Sequence, residues 1–236
     1  MPTLEETLAN QMQRFADVAS LKHVQSAFKV TLDAHKTLKK EAAEMVKKVA
    51  ADNRLTPVGR REKMQEYVGK ESHRVLRAQR TLAKIREQHE AQRVAIQPRA
   101  ADRTDLVGAV ARSDLRSMLR GMPIGKSMQL LLAPDADPIL LAAVLELPNY
   151  ASGINDETRR AVTERVIERE HPGALAALER DAEAVELLGV VTRVLEDTAR
   201  DIGEFPNAKL LQAFVEQSVG DTSRLDADIQ HSLQAA

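Results

Sequence analysis

The groups in this chain equipped for chemistry start with six histidines, and there is no cysteine to join them. Without thiols there can be no disulfide, no thiolate metal site and no cysteine nucleophile. His35 and His73 draw attention because a turn centred near residue 54 would make an antiparallel hairpin. Two imidazoles facing each other across such a hairpin are the start of a zinc site. A zinc site needs a third ligand, however, and none is in view. His73 also lies off the line of apolar residues through Val68 and Val75, so a polar residue that fixes helix register is the expected role for His35. His89, on that line, is read in the same way.

Other clusters fare no better. Glu168, Glu170 and His171 bunch at a predicted helix end without the HExxH spacing that aims two imidazoles at one metal. Ser113, Ser117 and Ser127 have no histidine at a useful spacing. The stretch Gly121-Met-Pro-Ile-Gly125-Lys126-Ser127 is one residue short of the GxxxxGKS phosphate loop and has no predicted strand ahead of it. The expectation is therefore no catalytic residue, no cofactor-binding residue and no metal ligand: not an enzyme, and no small-molecule substrate.

Charge offers a different kind of site. Residues 54–99 carry 12 Lys and Arg against five Glu. Arg74, Arg77, Arg80 and Lys84 are the candidate contact residues, for an acidic protein partner or for a nucleic-acid backbone. Tyr67 is the one aromatic residue in the stretch, too few to stack on successive bases, which favours the protein partner. The asymmetry extends to the whole chain. Residues 1–99 hold 20 basic and 12 acidic residues, and residues 100–236 hold 14 and 23. Halves of opposite sign imply two modules that attract each other or neighbouring copies.

These groups must be positioned by helices. Aromatic residues make up 3% of the chain and there is no Trp, while Ala, Leu, Val and Met dominate the apolar set. That composition suits close helix packing and suits a sheet poorly. Thr3 and Glu6 form a capping box for a first helix, and no Pro or Gly interrupts it before Pro57. Its apolar line runs Leu21, Val24, Phe28, Thr31, His35, Leu38, Ala42, Met45 and Val49. Leu4, Leu8, Met12, Phe15 and Val18 precede it in shifted phase, as a stutter in a continuous helix would produce. Thr56 and Pro57 then cap and open a second helix reaching about Ile96, with Met64, Val68, Val75, Ala78, Leu82 and Ile85 on its line. A short turn between two such helices makes them antiparallel.

Beyond Gln97-Pro98-Arg99 come shorter helices: Asp105 to Leu119, Lys126 to Leu132, one capped at Asp137-Pro138, Asn155 to Glu170, Ala174 to Ile202, Asn207 to Val219, and one opened by Asp221-Thr222. The reading is all-α: a long, coiled-coil-like antiparallel N-terminal hairpin over 1–99, then a compact multi-helix domain over 100–236. The N-terminus lacks the apolar core of a secretory signal, and Ile139 to Leu145 is too short for a membrane span, so no membrane contact is expected. The hairpin's apolar edges, Val46, Val94 and Ile96, call for cover by a homo-oligomeric or other partner.

Two stretches carry a resemblance. Leu55-Thr56-Pro57-Val58-Gly59-Arg60-Arg61-Glu62-Lys63 opens a helix after a long helix, and Leu140-Leu141-Ala142-Ala143-Val144-Leu145-Glu146-Leu147-Pro148 is followed by Ala151-Ser152-Gly153-Ile154. This layout resembles small helical accessory proteins encoded among the virion-structure genes of tailed bacteriophages. The resemblance covers those two stretches only. It implies a non-enzymatic structural or assembly role in a virion put together in the host cytoplasm, at the neck, capsid interior or scaffold, in contact with other virion or assembly proteins. The alternatives are a nucleic-acid-binding protein touching DNA through its basic second helix, and an adaptor or regulator in a bacterial cytoplasm.

Overall fold

The structure, a computed structural model, describes residues 2–99, 102 and 104–234. Among them are ten α-helices and no strand: α1 (Leu4–Gln13), α2 (Lys22–Ala51), α3 (Pro57–Ala95), α4 (Leu106–Arg120), α5 (Ile124–Leu131), α6 (Pro138–Glu146), α7 (Asp156–Glu170), α8 (Ala174–Ile202), α9 (Ala208–Val219) and α10 (Ser223–Gln234). None of these helices is long and apolar enough to cross a membrane.

The chain divides into two compact units, Met1–His89 with Arg180–Ala236, and Glu90–Glu179. The sequence reading places a single division at 99, and residue 100 itself lies outside the described residues. The divisions of the structure fall inside α3 and α8. Unbroken helical pattern gives no local sign of such a boundary.

In the first unit α2 and α3 form the expected hairpin. The Tyr67 hydroxyl meets the Leu38 carbonyl at 3.4 Å and the Glu41 carboxylate at 3.5 Å, close to the register set by a turn at residue 54. Phe28, Leu38, Val75 and Leu82 are all buried. The hairpin does not stand alone, because α8 fills its open side. Leu82 and Ile85 of α3 share a cluster with Ala184, Val185, Leu188 and Val191. At the other end Arg61 and Gln65 donate to the carbonyls of Glu204 and Gly203, both at 3.1 Å, so α8 runs antiparallel to α3. A two-helix hairpin buries only one seam; the third helix is what turns it into a core. α9 adds Leu211 and Val215 beside Val68 and Leu76.

The first helix departs from expectation. The capping box is present, with Glu6 N–H donating to Thr3 Oγ1 and Thr3 N–H to Glu6 Oε2. The helix nevertheless ends at Gln13, and a turn and a 3₁₀ segment, Ala19–Leu21, lead into α2. The phase shift is a break, not a stutter. A straight continuation would leave Leu8, Met12 and Phe15 in water, whereas the reversal buries all three beside Val24 and Phe28. Burial of three large side chains outweighs the few backbone hydrogen bonds given up at the break.

The second unit contains α4 to α7. α6 is apolar nearly all round and central, with Leu140, Leu141, Ala143 and Val144 buried. Its C-terminal carbonyls have no partner within the helix. Arg159 of α7 supplies one, donating to the carbonyls of Val144 at 2.7 Å and Leu145 at 2.8 Å, and to that of Leu147.

Candidate interaction surfaces

The basic candidates on α3 are mostly occupied. Arg74 pairs with Glu71 at 3.0 Å and Glu41 at 3.5 Å, Arg80 with Asp226 at 3.1 Å, and Lys84 with Glu87 at 3.0 Å. Arg77 alone of the four has no carboxylate within ion-pair distance among the described residues. It is half-buried and lines a groove with His23, Asp33 and His73. The opposite charges noted in the sequence meet inside the first unit, which carries 23 basic and 22 acidic residues. Arg80 with Asp226 and Arg14 with Glu183 are such pairs.

His35 and His73 do not come together. His35 is buried, 3.8 Å from Glu5 of α1, while His73 is exposed with Nδ1 at 3.2 Å from the Lys70 carbonyl. No group of three or more metal-ligating side chains occurs among the described residues. Loss of solvation pushes the His35 pKa below its ordinary value despite the Glu5 carboxylate. Glu5 is itself held down to about 2 by its backbone hydrogen bond and by Lys39. The pair seats α1 on α2. Ser127 is buried with its hydroxyl toward the Pro123 carbonyl, and the segment before α5 is a turn, so the near-match to a phosphate loop is a helix start.

α4 presents the surface that sequence reasoning missed, because its burial is inverted. Arg112 and Arg116 are 7% and 9% exposed, whereas Leu106, Val107, Val110 and Met118 are 75%, 84%, 63% and 39% exposed. The buried arginines converge on Glu146 of α6, Arg112 at 3.2 Å and Arg116 at 2.6 Å. Burial alone would raise the Glu146 pKa, but hydrogen bonds from Arg116 and Arg112 more than reverse this and hold it below its usual value. Arg112 also reaches Asp105, the N-cap of α4, at 3.1 Å. The backbone N–H of Gly108 and then Arg112 hold Asp105 low as well. A Cβ at Gly108 would meet the ends of two side chains, the Asp105 carboxylate and Arg112 Nη1, the latter at 2.7 Å, so the capping carboxylate would have to shift.

This network clamps one face of α4 to α6 and turns the apolar face outward. On a helix with 3.6 residues per turn, Leu106, Val107, Val110 and Met118 fall on one side, opposite Arg112, Leu115, Arg116 and Leu119. Single exposed apolar residues are ordinary, whereas a sustained apolar stripe along one face of a helix is not. The available signal was the roughly half-turn offset between the apolar residues at 106–110 and those at 115 and 119. Val94 and Val46 on the long helices are exposed too.

Comparison with protein-family models, curated proteins and solved structures finds no match to this chain.

Proposed function

We propose that this protein is a non-enzymatic structural or assembly component that works through helix-mediated protein–protein contacts, with the outer face of α4 as the contact surface. The observation that carries the reading is the inverted burial of α4, two arginines inside and four large apolar side chains outside. Covering a fully exposed Val, Leu or Met side chain contributes about 1.5–3 kcal/mol, so a partner on this face gains affinity that the free chain forgoes. The chain's near-equal charge and the internal pairing of Arg74, Arg80 and Lys84 leave electrostatics the lesser role.

The finer statement, that the assembly is a tailed-phage particle built in the host cytoplasm and that the protein acts there as an oligomer, rests on the resemblance of the two stretches at residues 55–63 and 140–154. The test is sedimentation of nuclease-treated lysate from cells producing such particles. Co-sedimentation of the chain with particles supports the proposal. Release by nuclease, or retention on DNA that falls steeply with salt, would move the function to nucleic acid. Recovery only among small soluble complexes would favour an adaptor in the bacterial cytoplasm.

A further inference from the structure

The groove that holds Arg77 is a cavity of about 350 Å³ between α2 and α3, bordered by Ser232 and Leu233 of α10. That size falls at the small end of the range for small-molecule sites, about 300–1,000 Å³. α3 lines it with His73, Arg77 and Thr81, each one helical turn from the next. α2 lines the other wall, with Asp33 beside Val30 and Ala34.

Three of these polar groups are left over by the fold. Thr81 is 9% exposed. A threonine buried on a helix ordinarily donates its hydroxyl to the carbonyl one turn back. Thr31 does so to Ala27 and Thr192 to Leu188, both at 2.8 Å. The Thr81 hydroxyl has no such bond to Arg77 and no other hydrogen-bond partner among the described residues. Arg77 is half-buried and Asp33 is exposed, and neither has an ion-pair or hydrogen-bond partner among the described residues. Of the other charged or titratable groups in the lining, Arg74 is spent on Glu71 and Glu41, and His73 has its Nδ1 at the Lys70 carbonyl. His23 lies towards the far end of α2.

A hairpin turn at residue 54 sets Asp33 opposite position 75, about half a helical turn from Arg77. The two charges therefore face each other at nearly one level on opposite walls, outside ion-pair distance. Water serves an exposed carboxylate well enough, so Asp33 alone would carry nothing. The buried, unbonded Thr81 hydroxyl one turn from an unpaired guanidinium is what distinguishes this groove.

We propose that the cavity binds a small zwitterion of the free α-amino-acid class. Its carboxylate accepts from the planar fork of Arg77 and from the Thr81 hydroxyl, and its ammonium donates to Asp33. An aliphatic side chain on the ligand lies against Val30, Ala34 and Ala78. Nothing in this draws on α4, which belongs to the second unit.

Calorimetric titration of the full chain with L-leucine tests the proposal. Isocaproate keeps the leucine side chain and carboxylate without the ammonium, and isoamylamine keeps the side chain and ammonium without the carboxylate. L-Leucine should bind saturably and about tenfold more tightly than either, since each lacks one charge-assisted contact. Arg77→Gln should weaken L-leucine about tenfold and leave isoamylamine unchanged, and Asp33→Asn should weaken L-leucine as much and leave isocaproate unchanged. Both positions reach solvent, so melting temperature should stay at the wild-type value. Absence of saturable heat with L-leucine would overturn the proposal. So would isocaproate binding as tightly as L-leucine, or tighter L-leucine binding in Asp33→Asn, either of which would make the cavity a site for simple anions.

Discussion

Two side chains show how much a single group decides here. His35 is buried with Nδ1 unsatisfied, under Glu5 and near Lys36 and Lys39. Its pKa is lowered in the folded protein, so on acidification the unfolded chain takes up a proton first. Stability is therefore full above about 6.5, the unfolded value, and falls as pH drops through the folded one. Glu5, held at about 2, adds a second loss in the same direction below about 4.5. Melting temperature should thus decline from pH 7 to 5. His35→Leu, which removes the titrating group at similar volume, should flatten that limb; an unchanged pH profile would show that His35 does not titrate in this way. At Gly108 the side chain that is missing matters. Gly108→Ala should break the Asp105 cap and its bond to Arg112, costing about 1–2 kcal/mol of stability by thermal melting, although alanine is intrinsically the better helix former.

At the scale of elements, the hairpin seam makes the plainest prediction. Leu82 lies in the cluster shared by α2, α3 and α8, so Leu82→Asp places a charge there without a partner and should cost several kcal/mol, on the order of 3–5. A melting curve matching wild type would contradict the seam. Removing Glu146 should be comparably damaging: Glu146→Ala leaves the buried Arg116 without a carboxylate and Arg112 with Asp105 alone, costing about 3 kcal/mol by the same measurement. Seam and caps were legible because they are local: Thr3, Thr56, Asp137, Asn155 and Asn207 each mark a helix start in the sequence. What was not legible depended on partners distant in the chain. The break after Gln13 has no Pro or Gly to announce it and exists because Leu8, Met12 and Phe15 find α2 and α8. The inversion of α4 exists because Glu146, thirty residues on from Arg116, gives the arginines a reason to be inside. Hydrophobic periodicity says which residues share a face and cannot say which face a later element will cover.

Across the whole chain, the split between a basic first half and an acidic remainder implied modules that attract each other or neighbouring copies, and much of it is spent within the first unit, where the two signs nearly cancel. Reversing Arg74, Arg77 and Arg80 to Glu should accordingly loosen the first unit by removing pairs worth about 0–1 kcal/mol each, and should leave contacts through α4 untouched. The second unit, with 11 basic and 13 acidic residues, offers shape and apolar surface instead of charge. That surface is the centre of the account, and one comparison tests it most directly: wild type and Val110→Glu, sedimented side by side from nuclease-treated producing-cell lysate, with melting temperature confirming that both are folded. Val110 is exposed, so the substitution should leave the fold intact. The account predicts wild type in the heavy fraction and Val110→Glu left in the light one. Equal amounts of a folded Val110→Glu in the heavy fraction would contradict it.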